Sequence, residues 1–462
     1  MLDLNPVLDH LDNSLDASLD RLFALLRLKS ISTDPDYKAE VRRAAEWLVD
    51  DLKSIGFEAS VRDTTGHPMV VAHHAGPSGD VPHVLFYGHY DVQPVDPLEL
   101  WNDDPFDPKV KTGETGAKII TGRGTSDDKG QLMTFVEACR AYKAVHGELP
   151  CRVTILFEGE EESGSPSLKP FLKANAEELK ADFALVCDTG MWDAETPALT
   201  VGLRGLVGEE VVIKAANRDL HSGGYGGAAA NPIRILARVL ADMHDDTGRV
   251  TLPGFYDGVE ETPNRILAAW NGLGETPESF LGPIGLSLPS GEKGRSVLEL
   301  IWARPTAEFN GINGGYTGKG FKTVIAAEAS AKVSFRLVHR QNPEKIREAF
   351  RTFVRERVPA DCSVEFHPHG GSPAIQLSYD SPFLVSAKNA LSDEWPKPAV
   401  MVASGGSIPV VGDFQTYLEM GSLMVGFALD DDRIHSPNEK YDLASFHKGQ
   451  RSWARILDAL AK

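Results

Sequence analysis

The sequence predicts an α/β protein: a main domain with a mixed, mostly parallel sheet flanked by helices, interrupted by an inserted α+β sandwich domain. Three observations predict this architecture. Apolar, strand-like runs alternate with helical patterns as far as about Arg204, strands of alternating polarity follow, and the first pattern returns from about Ser381. We therefore expect the main domain at 1–203 and 381–462 and the inserted domain at 204–380.

The first segment of the main domain combines amphipathic helices with buried strands. Two patterns with apolar residues at helical spacing open the segment, and the second ends at Gly56, a residue suited to cap a helix. Four apolar runs then predict strands, and a long helical pattern lies between the second and third of them. In chain order these stretches read SLDASLDRLFALLRLKSIS, YKAEVRRAAEWLVDDLKSIGF, MVVAHH, HVLFYG, KGQLMTFVEACRAYKAVHG, RVTILFEG and DFALVCD.

The inserted segment has strands that alternate between apolar and polar residues, which is typical of a sheet with one solvated face. Two amphipathic helical patterns lie between these strands, and Gly254–Lys293 is rich in turn residues. From Ser381 the chain returns to a helix, two apolar runs and a final helix at Leu443–Leu460. The alternating strands read GLVGEEVVIKAA, EASAKVSFRLV and CSVEFHPH, and their helices NPIRILARVLADM and PEKIREAFRTFVRERV.

Composition and charge exclude several classes of function. The 462 residues predict two to three domains, and the formal charge of −19 argues against a nucleic-acid or anionic-membrane partner. The four cysteines form no C-x-x-C pair, which favours a reducing compartment over a disulfide framework. The acidic N-terminus lacks the apolar region of a signal peptide, and no apolar run approaches the roughly 20 residues of a membrane span. We expect a cytoplasmic protein.

Five groups of acidic residues and histidines stand where predicted strands end or helices begin. In parallel sheets the carboxyl ends of the strands meet at one edge, where ligands usually bind. His89 and Asp91 follow a strand two residues apart, so their side chains share a face. The groups are His89 with Asp91, Asp127 with Asp128, Glu158 with Glu160–Glu162, Asp188, and His435.

Each group alone has a simpler interpretation. Asp127 and Asp128 suit a helix N-cap, Glu160–Glu162 a solvated acidic loop, and His435 the protein surface. Together they favour a cation, because carboxylates that converge at one edge repel one another. Two histidines with several carboxylates suit Zn²⁺, Mn²⁺ or Co²⁺, a bridging carboxylate can hold two metals about 3.5–4 Å apart, and a spare glutamate can act as general base.

The sequence resembles the co-catalytic, dinuclear-metal peptidases, a family that includes carnosinase, nonspecific cytosolic dipeptidase, carboxypeptidase G and aminoacylase. The resemblance runs from about residue 85 to the last helix and is strongest to the dipeptidase and carnosinase branch. The resemblance implies that the main domain is catalytic and that the inserted domain serves as a lid and in dimerisation. The motifs, in matching order, are GHYDVQPV, GRGTSDDKG, EGEEESGS, DLHSGGYGG, KTVIAAEASAKVSFRLV, GGSIPV and IHSPNEK.

The resemblance implies two divalent metal ions per chain, with Zn²⁺ expected first and Mn²⁺ or Co²⁺ as alternatives. Asp91 would orient His89, and Glu161 would deprotonate a water that bridges the metals and then protonate the leaving amine. The glutamates are assigned by counting back from Ser163, and Glu160 departs from the family pattern, which often has an apolar residue there. The implied ligands are His89 and Asp188 for one metal, Glu162 and His435 for the other, and Asp127 for both.

The resemblance also implies substrate contacts from the inserted domain. His221 would reach the scissile carbonyl oxygen from the partner subunit of a homodimer, stabilising the developing oxyanion. Arg336 would hold the substrate carboxylate, and Thr323 would add a hydrogen bond. Two alternatives remain: Arg336 as a solvated arginine on a strand face, and Gly223–Gly227 as no more than a flexible turn. The backbone around Gly405, Gly406 and Ser407 would add further hydrogen bonds.

The expected function is hydrolysis of dipeptides or short peptides that carry a free C-terminal carboxylate. The same chemistry would suit an N-acyl-amino-acid amidohydrolase. A binding protein without activity is a third possibility, although Glu161 and a full set of metal ligands argue against it. A serine hydrolase is disfavoured because the chain has no G-x-S-x-G motif.

Overall fold

The computed structural model describes residues 2–406 and 408–462. Two compact units form, the first from 1–201, 377–402 and 413–462, and the second from 202–376 and 403–412. The sequence predicts the boundaries at 203/204 and 380/381 and assigns 403–412 to the main domain. Within the second unit, the carbonyl oxygen of Ser404 accepts a hydrogen bond from the backbone nitrogen of Arg204 at 3.2 Å.

The helices and strands of the described residues have the following bounds. The helices are α1 Leu4–Asn13, α2 Leu15–Leu26, α3 Lys38–Ser54, α4 Lys129–His146, α5 Leu168–Ala174, α6 Ala176–Leu179, α7 Ser222–Tyr225, α8 Pro232–Ala241, α9 Asn264–Asn271, α10 Pro277–Leu281, α11 Val297–Trp302, α12 Pro343–Arg355, α13 Pro382–Glu394, α14 Pro409–Asp413 and α15 Leu443–Leu460. The strands are β1 Glu58–Arg62, β2 Met69–His74, β3 His83–His89, β4 Lys109–Thr112, β5 Lys118–Thr121, β6 Arg152–Glu158, β7 Phe183–Val186, β8 Ala198–Leu203, β9 Gly205–Lys214, β10 Leu220–His221, β11 Thr306–Gly314, β12 Val324–Ile325, β13 Glu328–Leu337, β14 Ser363–Ser372, β15 Ile375–Gln376, β16 Val400–Ser404, β17 Ser422–Gly426 and β18 Lys440–Asp442.

The first unit is built on a mixed sheet with the strand order β1-β2-β6-β3-β7-β17-β8. The central strands β6, β3, β7 and β17 are parallel, and the outer pairs are antiparallel. This arrangement confirms the predicted α/β class. The central strands are almost entirely buried, as expected for strands covered on both faces.

Helices α4 and α15 cover the parallel strands with aromatic contacts. The rings of Phe86 on β3 and Phe135 on α4 stack with centroids 3.8 Å apart, and Trp453 on α15 meets both rings edge-on at 5.5 Å. Helix α4 begins directly after Asp128 and ends at His146, and it is followed by Gly147, whose φ of +76° suits a glycine C-cap. Among the described residues, no helix is both long and apolar enough to cross a membrane.

The second unit is an α+β sandwich with the antiparallel strand order β11-β13-β9-β14. Strand β13 alternates between buried and more exposed residues along most of its length, so one face of the sheet is covered and the other solvated. The covered face packs on α8 and α12 through apolar side chains such as Val211, Phe335 and Phe350. Asn231 and Asn342 cap these helices by accepting hydrogen bonds from backbone nitrogens of the first turn.

Candidate metal centre

The carboxyl edge of the parallel strands gathers the predicted metal-binding side chains of the first unit. His89 is the last residue of β3, Glu162 lies in a short turn after β6, and Asp188 follows β7. Asp127 comes immediately before the Asp128 cap of α4, and His435 lies in the loop between β17 and β18. The ligand atoms of His89, Asp127 and Asp188 lie within 4.8 Å of one another, and so do those of Asp127, Glu162 and His435.

Asp127 is common to both groups and has one histidine on each oxygen. His89 Nε2 lies 3.0 Å from Asp127 Oδ1, and His435 Nε2 lies 2.9 Å from Asp127 Oδ2. Burial opposes ionisation of Asp127, but the hydrogen bonds to His435 and His89 outweigh it and hold its pKa below the usual range. A carboxylate with its two oxygens directed to two separate ligand sets has the arrangement that a bridging ligand requires.

Asp91 is buried beneath the centre and holds two parts of it. Its Oδ1 lies 3.4 Å from His89 Nδ1, which leaves Nε2 of that ring directed at Asp127. The same carboxylate accepts hydrogen bonds from the backbone nitrogens of Glu161 at 3.2 Å and Glu162 at 3.0 Å, and from Ser32 Oγ at 2.6 Å. Sequence analysis assigned Asp91 only to His89 and missed both Ser32 and the link to the glutamate turn.

The three glutamates after β6 have different environments. The buried carboxylate of Glu160 accepts hydrogen bonds from the backbone nitrogens of His67 at 2.6 Å and Ser167 at 3.0 Å. Glu162 Oε2 lies 3.2 Å from His435 Nε2 and accepts a hydrogen bond from Gln93 Nε2 at 2.6 Å. Sequence reasoning missed Gln93, although it lies two residues after Asp91 in the same motif.

The Glu161 carboxylate accepts no hydrogen bond from any residue that the structure describes. Burial is the largest influence on Glu161 and raises its pKa; neighbouring Glu162, Asp91 and Asp127 act in the same direction, and His89 opposes them. Glu161 therefore has a free carboxylate beside the two groups of ligand atoms, as a proton acceptor needs.

The charges of the site fit divalent cations. Burial, with repulsion from Asp127 and the glutamates, raises the pKa of Asp188 well above its usual value despite the attraction of His89. Burial also raises the pKa of Asp128, with Asp188 contributing, and its buried Oδ1 has no hydrogen-bond partner among the described residues. A cation would relieve this repulsion, and a set of imidazole nitrogens and carboxylate oxygens suits Zn²⁺, Mn²⁺ or Co²⁺.

The substrate-binding residues predicted from the sequence lie in the second unit, except Ser407, which is outside the described residues. His221 on β10 is exposed and pairs with Val324 on β12. Its Nδ1 accepts a hydrogen bond from the backbone nitrogen of Gly223 at 3.0 Å. The neighbouring Thr323 is also exposed, and its carbonyl oxygen accepts a hydrogen bond from the backbone nitrogen of Ser222 at 3.0 Å.

Arg336 lines a cavity of about 520 Å³ in the second unit, together with Arg204. Arg304, also in this cavity, pairs with Glu292 at 2.9 Å, whereas neither Arg336 nor Arg204 has an ion pair with a described residue. Burial lowers the pKa of Arg204 to about 10, and the nearby charge of Arg336 contributes. Sequence analysis missed Arg204. Although the carboxylate of Glu308 lines the same cavity, the two guanidinium groups outside ion pairs favour an anion.

Gly405 makes room for Arg204, whereas Gly406 is exposed. Arg204 Nε donates to the carbonyl oxygen of Gly405 at 3.4 Å, and a Cβ at Gly405 would lie 2.8 Å from Arg204 Nη2. The backbone nitrogen of Gly406 donates to Ser404 Oγ at 3.1 Å. Gly405 therefore permits a close approach of the loop to the guanidinium group.

An α/β unit that presents two adjoining sets of histidine and carboxylate ligands, beside a free glutamate, defines a class of metal-dependent hydrolases. The model of peptidase family M20/M25/M40 matches residues 85–459, and the chain belongs to this family. It is therefore a hydrolase of peptide bonds. The resemblance seen in the motifs is thereby confirmed.

Relatives with stated activities align over nearly the whole chain. The chain is 29% identical to the Cys-Gly metallodipeptidase DUG1 of Candida albicans, over 100% of this chain and 98% of the relative. It is 26% identical to the human Beta-Ala-His dipeptidase, over 99% of this chain and 93% of the relative. Among solved structures, the M20 family metallo-carboxypeptidase Sso-CP2 from Sulfolobus solfataricus superposes with a TM-score of 0.77 at 28% identity, over 96% of this chain and 99% of that chain.

Proposed function

We propose that this protein is a metal-dependent dipeptidase that cleaves dipeptides or short peptides with a free C-terminal carboxylate. The observation that carries the proposal is the position of Asp127 between His89 and His435, close enough to the free carboxylate of Glu161 to raise its pKa. The names of two relatives, a Cys-Gly metallodipeptidase and a Beta-Ala-His dipeptidase, support a dipeptide substrate.

Two divalent ions would be held by the five side chains that converge on the strand edge. Asp127 would serve both ions, and Zn²⁺ is expected first, with Mn²⁺ or Co²⁺ as alternatives. When bound, such ions polarise a carbonyl oxygen and lower the pKa of water. The remaining ligands would be His89 and Asp188 for one ion and Glu162 and His435 for the other.

Glu161 would move the proton in this reaction. Its raised pKa makes it a stronger base than an exposed glutamate, and its carboxylate forms no hydrogen bond with any described residue. Glu161 would accept a proton from the attacking water and deliver it to the leaving amine. Glu160 is occupied by two backbone nitrogens and Glu162 by Gln93 and His435, so neither is free for this role.

His221 would stabilise the negative charge that develops on the scissile carbonyl oxygen. Because Nδ1 of the neutral ring accepts a hydrogen bond from Gly223, the ring proton lies on Nε2, which is the nitrogen left to donate. We propose that this donor comes from the partner subunit of a homodimer formed through the second unit. The exposure of His221 in the single chain supports such a role.

Arg336 would bind the substrate carboxylate. Its guanidinium group forms no ion pair with a described residue, and Arg204 in the same cavity adds a second positive charge. Thr323 and the backbone of Gly406 would add hydrogen bonds to the substrate. The preference for a free C-terminal carboxylate follows from these charges.

The four cysteines are all unpaired, and three of them are buried. Unpaired thiols suit a reducing compartment, which supports a cytoplasmic location.

A substrate panel tests this proposal against its alternatives. Dipeptides including Cys-Gly and β-Ala-His, tripeptides, and N-acetyl amino acids are assayed with Zn²⁺ and with Mn²⁺. Hydrolysis of dipeptides at the highest kcat/KM supports the proposal. A preference for N-acetyl amino acids would replace it with an N-acyl-amino-acid amidohydrolase, and binding without turnover of any compound would indicate a protein that has lost catalysis.

A further inference from the structure

Two buried carboxylates flank His435 in the sequence, and both contact the segment that carries Asp127. Asp432 lies three residues before His435 and Glu439 four residues after it. Both side chains are fully buried, although His435 itself has a side chain that is 55% exposed. Neither carboxylate belongs to the ligand groups of the metal centre.

Glu439 accepts four hydrogen bonds from residues 123–127. Its Oε1 accepts from the backbone nitrogens of Ser126 at 2.9 Å and Asp127 at 3.1 Å. Its Oε2 accepts from the backbone nitrogen of Gly124 at 2.9 Å and from Arg123 Nη1 at 2.7 Å. The backbone position of Asp127 is thus held from the loop that carries His435.

Asp432 makes the second contact between the same two segments. Its Oδ2 accepts hydrogen bonds from Ser126 Oγ at 2.6 Å and from the backbone nitrogen of Leu429 at 2.9 Å. Its Oδ1 lies 2.9 Å from Lys440 Nζ. We name Asp432, Glu439 and their partner Ser126 the carboxylate clamp.

The two ligand groups differ in the contacts that they have beyond the clamp. His89 has its own link to the start of α4, because its backbone nitrogen donates to Asp128 Oδ2 at 3.1 Å. His435 lies in an irregular loop with a φ of +62°, and the positive φ values of Arg433 and Asn438 show that this loop is held in an unfavourable conformation. Residues that hold such a loop control where its ligand lies.

We propose that the carboxylate clamp is a positioning device that fixes His435 relative to Asp127 and thereby sets the affinity of the second metal. The inference rests on the proposed two-metal centre and adds the residues that position the ligands of the second metal. Loss of the clamp weakens the group of Asp127, Glu162 and His435 more than the group of His89, Asp127 and Asp188.

Titration of metal-free protein with Zn²⁺, in competition with a chelator of known affinity, tests the proposal. Ser126→Ala removes only the hydroxyl that reaches Asp432. Glu439→Gln leaves one acceptor oxygen in place of the two carboxylate oxygens that accept the four hydrogen bonds from residues 123–127. Each change should lower the affinity for the second equivalent of Zn²⁺ by about 10–100-fold, the range seen when a residue that supports a metal ligand is lost. The affinity for the first equivalent should stay within about threefold of the wild-type value.

Two further variants separate positioning from folding. Arg123→Met with Glu439→Gln removes the buried charge that Glu439→Gln alone would leave unpaired, and it should show the same selective loss. Glu137→Gln removes a buried carboxylate held by Arg21 and Arg140, with no hydrogen bond to the ligand-bearing segments, and should leave both Zn²⁺ affinities unchanged.

Equal weakening of both equivalents, or no weakening in Ser126→Ala and in the double variant, would overturn the clamp. Wild-type protein that binds only one equivalent would instead contradict the two-metal centre of the proposed function. The experiment measures metal binding and not turnover. Failure to hydrolyse any dipeptide would therefore contradict the proposed function, and the Zn²⁺ affinities would still decide whether the clamp is correct.

Discussion

The carboxylate of Asp91 accepts a hydrogen bond from the backbone nitrogen of Glu162 at 3.0 Å. The same carboxylate lies against His89 Nδ1 and accepts a second backbone hydrogen bond from Glu161. One buried side chain therefore fixes both a histidine at the end of β3 and the turn after β6. This relationship makes Asp91 a support for the proposed base as well as for a proposed ligand.

Asp91→Asn should lower metal affinity or kcat by about 10–100-fold, as loss of outer partners of metal ligands usually does. The amide group would present a donor to a site that surrounds the Asp91 carboxylate with donors, among them Ser32, Glu161 and Glu162. Metal titration and steady-state kinetics measure the effect. Asp63→Asn, at an exposed carboxylate that pairs with Arg42, is the control and should behave like the wild type.

Glu161→Gln should reduce kcat by about 10²–10⁴-fold and keep both metals, because it removes the proton acceptor but no proposed ligand. Glu162→Gln should instead weaken one metal site. Glu160→Gln should lower thermal stability without either effect, because Glu160 holds only the backbone of His67 and Ser167. Exchanged phenotypes for the first two variants would show that the glutamate roles are shifted by one residue.

Amidation of the C-terminus of a good dipeptide substrate should lower kcat/KM by about 10–100-fold. A hydrogen bond to a charged group contributes about 1.5–3 kcal/mol, and the amide loses the charge that Arg336 would bind. Arg336→Met should lower kcat/KM for the free acid and leave the amide nearly unaffected, while Lys332→Met, an exposed cation on the same strand, should change neither. Equal rates on acid and amide would remove Arg336 from this role.

The proposed contribution of His221 across a homodimer can be tested by mixing inactive subunits. His221→Ala and His435→Ala homodimers should each be nearly inactive. A heterodimer of the two has one site with both histidines intact, and random mixing gives about half heterodimers, so roughly a quarter of wild-type activity should return. If exchange of subunits is demonstrated and activity does not return, His221 acts within its own chain or has no catalytic role.

The sequence predicts helices and strands well where the spacing of apolar and polar side chains determines them. The final helix lies at Leu443–Leu460 as predicted, and β13 coincides with the predicted alternating run. Strand β11 was missed because Thr306–Gly314 is mostly polar and exposed, and its conformation depends on backbone pairing with β13 across a bulge near Phe309. The pattern of polar and apolar residues within the strand does not predict such a pairing.

The same distinction applies to the site. His89, Glu162 and Asp188 could be found because they stand at or just after the ends of strands, and the order of the parallel strands brings them to one edge. Glu439 and Asp432 could not, because their partners near Ser126 lie more than 300 residues away in the sequence and only the folded chain joins them. Arg204 was missed for a similar reason, since its importance depends on the cavity it shares with Arg336.

The central claim is that hydrolysis of a dipeptide by this protein requires two divalent ions held around Asp127. The most direct measurement follows the rate of dipeptide hydrolysis by metal-free protein while Zn²⁺ or Mn²⁺ is added, with bound metal determined by elemental analysis of the same samples. The account predicts negligible activity in chelator and full activity when two ions are bound per chain. Full activity in chelator, with no metal bound, would contradict it.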